Sequence, residues 1–138
     1  MQFKNTLLSF KKDIVNRSFL DWLKAHTSFL KPLHKYKGDL ILNKKHLIFA
    51  GKNVKTEEDF NLKIPIKDII DIYLGFDKVF TGWEDRAYPW NKPLKIVYKD
   101  QKQATIYIFA NFHHKWWGLR TSDNKKLLKE LKGFIDNN

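Results

Sequence analysis

Between residues 38 and 120, hydrophobic and polar residues alternate in short segments with a period of two. Phe60, Leu62 and Ile64 alternate with polar neighbours, as do Leu94 and Ile96. Successive side chains of a strand point to opposite faces of a sheet, so this spacing predicts strands that bury one face. The predicted strands lie at residues 38–42, 46–50, 60–64, 70–74, 94–98, 105–109 and 114–120. A tight turn at residues 43–45 makes the first two a hairpin.

The end of the chain shows helical spacing instead of alternation. Its apolar residues fall at i, i+1, i+4, i+7 and i+8 and form one stripe: Leu127, Leu128, Leu131, Phe134 and Ile135. Thr121, Ser122 or Asp123 is suited to cap the first turn of this helix. About seven strands followed by one helix predict a mainly β domain, a sandwich or partly open barrel that the helix closes.

The beginning of the chain is also predicted to be helical, over residues 3–30. Phe3, Leu7, Phe10 and Ile14 recur at helical spacing, and Pro32 ends the region. We therefore divide the chain into an N-terminal helical extension at residues 1–35, packed on the domain, and the β domain at residues 36–138.

Five stretches of the β domain resemble GRAM-type and other pleckstrin-homology-like (PH-like) domains. Residues 36–49 read YKGDLILNKKHLIF and are similar to the opening hairpin of those domains. Residues 64–72, IPIKDIIDI, resemble their next step, and PLKIVY at 93–98 with IYIF at 106–109 resembles their second hairpin. Residues 119–124, LRTSDN, are similar to the final strand and cap. The resemblance covers about residues 36–135, and it implies a seven-stranded antiparallel sandwich or partly open barrel, capped by a helix, with a non-catalytic binding role.

Two features depart from that pattern. The terminal helix has no tryptophan, which many PH domains place there, and has Leu127, Leu128 and Leu131 instead. The first hairpin also carries fewer basic residues than the hairpins of phosphoinositide-binding members. The resemblance therefore implies the fold more strongly than a particular lipid.

Composition limits the function classes. The chain has 138 residues, a net charge of +11 and no cysteine, so disulfides, thiolate metal sites and cysteine nucleophiles are excluded. Only three of its 26 basic residues are arginine, which argues against bidentate recognition of phosphate or guanine. No signal peptide or membrane-spanning segment is recognised, and a cytoplasmic protein is expected, with peripheral association at the inner membrane surface as an option.

The first candidate site is a group of lysines around the opening hairpin. Lys44 and Lys45 lie at its tip, Lys37 and Lys52 at its ends, and Lys55 in the next loop. Lysines bind phosphate as point charges, so this group is a candidate site for a phosphate head group. The alternative is that lysines at a hairpin tip only keep a sheet edge soluble.

The second candidate is the long connection at residues 76–93. Its aromatic residues Phe80, Trp83, Tyr88 and Trp90 are candidates for contact with a partner or a membrane interface. The alternative is that they cover the open end of the sandwich. The N-terminal segment, with Lys4, Lys11, Lys12, Arg17 and Lys24, is a further basic amphipathic candidate, either for an anionic membrane or for burial or homodimer formation.

No pattern points to catalysis, a cofactor or a metal. His113 and His114 are adjacent in a predicted strand, so they face opposite ways and do not chelate one ion together. The leading hypothesis is a non-enzymatic PH-like module that binds a protein partner or an anionic membrane surface. The alternative is a small basic nucleic-acid-binding β-barrel, which the sequence pI of about 9.7 and the aromatic content favour.

Overall fold

The computed structural model describes residues 1–16, 34–81, 91–114 and 120–137. The elements in these ranges are β1 (Gln2–Phe10), α1 (Lys11–Val15), β2 (Tyr36–Leu42), β3 (His46–Asn53), β4 (Asp59–Pro65), a 3₁₀ turn (Ile66–Asp68), β5 (Ile69–Leu74), β6 (Leu94–Asp100), β7 (Lys102–Phe109), the two-residue strands β8 (His113–His114) and β9 (Arg120–Thr121), and α2 (Asn124–Asp136). Strands β1 to β7 form one antiparallel sheet in the order β4-β3-β2-β1-β7-β6-β5. The mainly β prediction with a closing helix is confirmed.

The sheet curls, because its two outer strands are joined by a very short connection. Strands β4 and β5 lie at opposite edges, six strand spacings apart, which would separate them by about 29 Å in a flat sheet. Yet only the three-residue 3₁₀ turn connects Pro65 to Ile69, and four residue steps span at most about 14 Å. The edges therefore approach each other at this end, as in a partly open barrel.

The helical prediction for residues 3–10 is wrong, because these residues form β1 in the middle of the sheet, between β2 and β7. Leu8 packs in the main core inside the curl, whereas Leu7 packs in a second cluster elsewhere. A strand buried on both faces shows no alternation. A bulge at Asn5, with φ of +53°, also puts Phe3 in the same core as Leu8, five residues away.

Only Lys11–Val15 of the predicted N-terminal helical region is helical among the described residues, and residues 17–33 lie outside them. Residues 2–10 are hydrogen-bonded into the same sheet as residues 36–109. Strand β1 is therefore far from β2 in sequence, although the two strands are neighbours in the sheet.

Two hydrophobic clusters of described residues stabilise the fold. The main core lies inside the curl and is closed by α2, whose Leu127 and Leu131 are fully buried, as the apolar stripe predicts. The second cluster, which we term the outer core, contains Leu7, Ile14, Phe80, Tyr107, Phe109 and Phe112. It covers β1 and β7 with α1 and the segment that follows β5. The sheet is therefore covered on both sides at its centre.

Most predicted strands are confirmed, with two differences. In β5 a bulge between Ile69 and Asp71 changes the phase, so Ile70 is exposed although the alternation places it with Ile72 and Leu74. The predicted strand at residues 114–120 is replaced by β8 and β9, which pair only with each other among the described residues. Residues 115–119 lie outside the described part.

The carboxylate of Asp77 fixes the outer core. It accepts hydrogen bonds from the backbone amides of Val79 (2.8 Å) and Phe80 (2.7 Å) and from the Tyr107 hydroxyl (2.8 Å). The Lys95 ammonium lies 3.2 Å away. Burial alone would raise the pKa of Asp77, but these donors outweigh it and hold the pKa below its usual 3.8.

Asp77→Asn is expected to lower the free energy of unfolding by about 1–2 kcal/mol at pH 7, since the charged acceptor is lost. A carboxyl whose pKa is depressed by folding stabilises the fold above its unfolded pKa, and this contribution is lost as pH falls through the lower, folded pKa. The difference from wild type should therefore shrink below about pH 4 in urea titrations. Asp71→Asn, on the exposed face of β5, is the control and should change stability by less than about 0.5 kcal/mol. A D77N deficit that stays constant from pH 7 to pH 3 would contradict this account.

Candidate functional site

The five predicted hairpin lysines fall into two groups. Lys37 and Lys52 are directly opposite each other near the open end of the β2–β3 hairpin. Lys44 and Lys45 are exposed in its turn, beyond the Leu42–Leu47 pair. Five residues separate Lys37 from Leu42, so the groups lie about 17 Å or more apart along the strands. The structure therefore does not bring these five lysines together into one site.

A cleft of about 600 Å³ opens near the Lys37–Lys52 end, and we term it the basic groove. Its polar lining includes Lys12 and Asp13 from α1, His34 and Lys35 before β2, Asn53 at the end of β3, and Lys55 and Thr56 in the loop that follows. A shallower depression of about 710 Å³ adjoins it, shares His34, Asn53 and Val54, and is lined by Lys37 and Lys52. Lys55, Lys37 and Lys52 are thus gathered at one end of the sheet.

Backbone hydrogen bonds position the walls of the groove. The amide of Lys35 donates to the Leu8 carbonyl and to the Ser9 hydroxyl oxygen, both at 3.1 Å. The Lys35 carbonyl accepts from the Val54 amide at 2.9 Å. Residue 35 therefore joins β1 to the loop after β3, although it is far from both in sequence.

Asn53 shapes the loop that carries Lys55. Its side-chain oxygen accepts from the backbone amides of Lys55 (2.9 Å) and Thr56 (3.2 Å), and its carbonyl accepts from the Glu57 amide (2.9 Å). Asparagine favours such local turns because its short side chain reaches its own backbone two residues on. The turn places Lys55 and Thr56 on the groove wall.

The deeper cleft is positive and the shallower one is balanced. Among the described residues, three lysines and one aspartate line the basic groove and give it a formal charge of +2, whereas Lys37 and Lys52 face Asp39 and Glu57 in the depression. The Lys52–Asp59 pair, at 3.9 Å and largely exposed, contributes little. An anion would therefore be attracted most strongly to the groove itself.

Lys35 is held in the groove by Asp13, whose carboxylate lies 3.2 Å from its ammonium and also accepts from the Phe10 amide. Partial burial lowers the pKa of Lys35, but the hydrogen bond and charge of Asp13, with a smaller effect of Tyr36, leave the pKa raised above its usual 10.5. The ammonium also lies 5.6 Å from the centre of the Tyr36 ring. Lys35 is therefore charged and ordered at neutral pH.

The aromatic candidates are only partly within the described residues. Phe80 is fully buried in the outer core, with its ring centre 5.3 Å from that of Tyr107 and 5.6 Å from that of Phe109. The prediction of a contact surface is therefore wrong for Phe80, because the adjacent turn at Asp77 directs its side chain inward. Trp83, Tyr88 and Trp90 lie outside the described residues.

Among the residues that the structure describes, no three or more histidine, aspartate or glutamate residues are grouped so that they could hold a metal ion. The Tyr98 hydroxyl is buried, and burial together with the charge of Asp100 raises its pKa to about 12. It therefore stays protonated at neutral pH. No helix in this part of the chain is long and apolar enough to cross a membrane.

Comparison of the chain with protein-family models, with curated proteins and with solved structures finds no match in any of the three.

Sequence reasoning missed how the groove is assembled. The sequence pattern places Lys12 in a basic helical segment and gives Lys35 no role. The register of the predicted hairpin is enough to place Lys37 opposite Lys52. No sequence signal brings residues 12, 35 and 55 together, because their proximity depends on β1 lying beside β2.

Proposed function

We propose that the chain is a non-catalytic binding module of PH-like architecture and that its basic groove binds an anionic membrane surface. One observation supports this most directly: three separate segments bring Lys12, Lys35 and Lys55 to one concave site, whose described lining has a formal charge of +2. Anionic lipids attract such a cluster with about 1 kcal/mol for each lysine near the surface. In a cell, the inner leaflet of the membrane carries such anionic lipids.

The order of the elements supports the PH-like part of the proposal. Seven antiparallel strands curl around one core, and a C-terminal helix closes it. The hairpin predicted from residues 36–49 has the expected register, and Asn43 forms its turn by accepting from the amides of Lys45 and His46. Strand β1, at the centre of the sheet, is one of these seven strands.

Lys12→Glu/Lys55→Glu is expected to weaken partition onto vesicles that contain phosphatidylserine by about thirtyfold or more, since two favourable contacts of about 1 kcal/mol each are lost. Flotation with anionic and with neutral vesicles measures the effect. Neutral phosphatidylcholine vesicles should bind neither protein appreciably.

The control is Lys44→Glu/Lys45→Glu, which removes the same amount of charge at the hairpin tip. The tip is about 17 Å or more from Lys37, roughly two Debye lengths at physiological salt. We expect less than about a threefold loss for this variant. Equal losses for both variants, or a larger loss for the tip variant, would show that the groove is not the binding site.

A gel-shift assay with single-stranded DNA and RNA tests the nucleic-acid alternative. Binding that falls steeply with salt, without any flotation on anionic vesicles, would favour that alternative and overturn the membrane proposal.

A further inference from the structure

Two elements that line the basic groove, α1 and the loop after β3, each carry an exposed valine. Val15 ends α1 with 60% of its surface exposed, and Val54 follows β3 with 44% exposed. Lys11 and Lys12 lie four and three residues before Val15, so all three side chains share the outer face of α1. Val54 directly precedes Lys55. Each element therefore presents an apolar side chain beside exposed cations.

Both valines are held in place by their neighbours. Ile14 is fully buried in the outer core, which turns the adjacent Val15 toward solvent. The amide of Val54 is hydrogen-bonded to the Lys35 carbonyl at 2.9 Å. Neither side chain can turn inward without breaking one of these contacts.

A single exposed apolar residue is ordinary on a protein surface. The informative feature is that the same combination occurs on two separate elements that both line one positive cleft. Exposed valines would not help the cleft to bind a small anion from water, because an apolar side chain forms no hydrogen bond or ion pair with it. A lipid surface offers both anionic head groups and an apolar layer beneath them.

We propose that this end of the molecule is a membrane-docking surface in which Val15 and Val54 enter the interfacial layer while Lys12 and Lys55 contact the head groups. The inference rests on the proposed function and adds an insertion step to it. Docking brings the open end of the β2–β3 hairpin to the membrane and leaves the hairpin tip in water.

Ile41 gives a matched comparison. It is 40% exposed and lies three residues from Lys44, at the tip end of the same hairpin. Its exposure and its cationic neighbours resemble those of Val54, but it lies away from the groove. If apolar exposure beside lysine were sufficient for insertion, Ile41 would insert as well.

The absence of cysteine allows single-site labelling. Val15→Cys, Val54→Cys and Ile41→Cys would each carry an environment-sensitive fluorophore and be mixed with phosphatidylcholine vesicles containing about 30% phosphatidylserine. Labels at 15 and 54 should shift to shorter wavelength and brighten, whereas the label at 41 should not change. Inorganic phosphate, as the soluble source of the same anionic group, should shift none of them.

Unchanged spectra at positions 15 and 54, with flotation that still depends on Lys12 and Lys55, would overturn insertion and leave the proposed function standing. Loss of flotation in the unlabelled protein would instead overturn the proposed function. A shift at position 41 alone would place docking at the tip and overturn both.

Val15→Ser/Val54→Ser provides a test without labels. The double variant should partition about tenfold more weakly onto the same vesicles, because much of the apolar burial is lost. Its salt dependence should match that of wild type, since no charge changes. Both positions are exposed, so the fold should be retained, and circular dichroism checks this. Partition equal to that of wild type would overturn the inference.

Discussion

Gly38→Ala is expected to lower the free energy of unfolding by about 3 kcal/mol or more, an effect near the upper end for a single added methyl group. Gly38 lies directly opposite Gly51 in the β2–β3 hairpin. A Cβ at Gly38 would overlap the carbonyl oxygen of Ala50 and the Cα of Gly51, and it would lie 2.8 Å from the Ala50 carbonyl carbon. Ordinary contacts between such atoms are about 3.5–4.0 Å.

The overlap at Gly38 cannot be relieved by a rotamer change, because every atom it meets belongs to the backbone of β3. A Cβ at Gly51 would also overlap the backbone of β2, since it would lie 2.8 Å from the Cα of Gly38. Paired glycines in the middle of two strands mark a place where the backbones approach closely and the sheet bends. Alanine at either position would force the strands apart beside Lys37 and Lys52.

Chemical denaturation of Gly38→Ala measures the effect, and Gly133→Ala is its control. Gly133 lies within α2, and a Cβ there would meet no atom within 4 Å. The same substitution should therefore stabilise the protein by about 0.5–1 kcal/mol, because alanine has the higher helix propensity. A lower free energy of unfolding for Gly38→Ala together with a higher one for Gly133→Ala would support the close approach of the two backbones. A Gly38→Ala protein as stable as wild type would contradict it.

The fold was predictable wherever one face of an element is buried and the other is exposed. Strand β4 shows this clearly, with Ile64 buried between the more exposed residues Lys63 and Pro65, and so does α2 with Leu127 and Leu131. Strand β1 was not predictable in this way. The outer core covers its second face, and the bulge at Asn5 interrupts its period, so Phe3, Leu7 and Phe10 matched helical spacing by coincidence.

The main sheet has seven strands, as the sequence predicts, but one of them differs. The sequence pattern predicts residues 114–120 as the seventh strand, whereas β1 takes that place and lies beside β7. This difference matters for the site. Pairing of β1 with both β2 and β7 brings α1, and therefore Lys12, to the end of the hairpin where Lys55 lies.

The candidate site was predictable only in part, because lysines close in sequence proved distant in space. Lys45 and Lys52 are seven residues apart, yet they lie at opposite ends of β3. Lys35 and Lys55 are twenty residues apart and line the same groove. Hairpin register can be inferred from a sequence pattern, but the packing of a separate segment against the hairpin depends on tertiary contacts that have no local signal.

The second large effect concerns Asn124, the first residue of α2, whose buried side chain ties the helix to the sheet. Its oxygen accepts from the Ala110 amide at 2.8 Å, and its nitrogen donates to the carbonyls of Lys92 (2.7 Å) and Ile108 (2.9 Å). One side chain therefore joins the end of β7, the start of β6 and the closing helix. The Asp123 side chain makes no capping bond and instead accepts from Asn111, so Asn124 is the stronger anchor.

Asn124→Leu is expected to lower the free energy of unfolding by about 3 kcal/mol, because a buried amide and two carbonyls lose their partner while the volume stays similar. Asn124→Asp keeps an acceptor for the Ala110 amide but sets a negative charge against two carbonyl oxygens. Its loss of unfolding free energy should therefore be larger at pH 7 than at pH 4, because a protonated carboxyl can donate a hydrogen bond again. Asn137→Ala, at the exposed end of the same helix, is the control and should change stability by less than about 0.5 kcal/mol. Urea titrations of the three variants at both pH values measure these effects. Equal stability of the Asn124→Leu and Asn137→Ala proteins would show that the terminal helix is held by its apolar stripe alone.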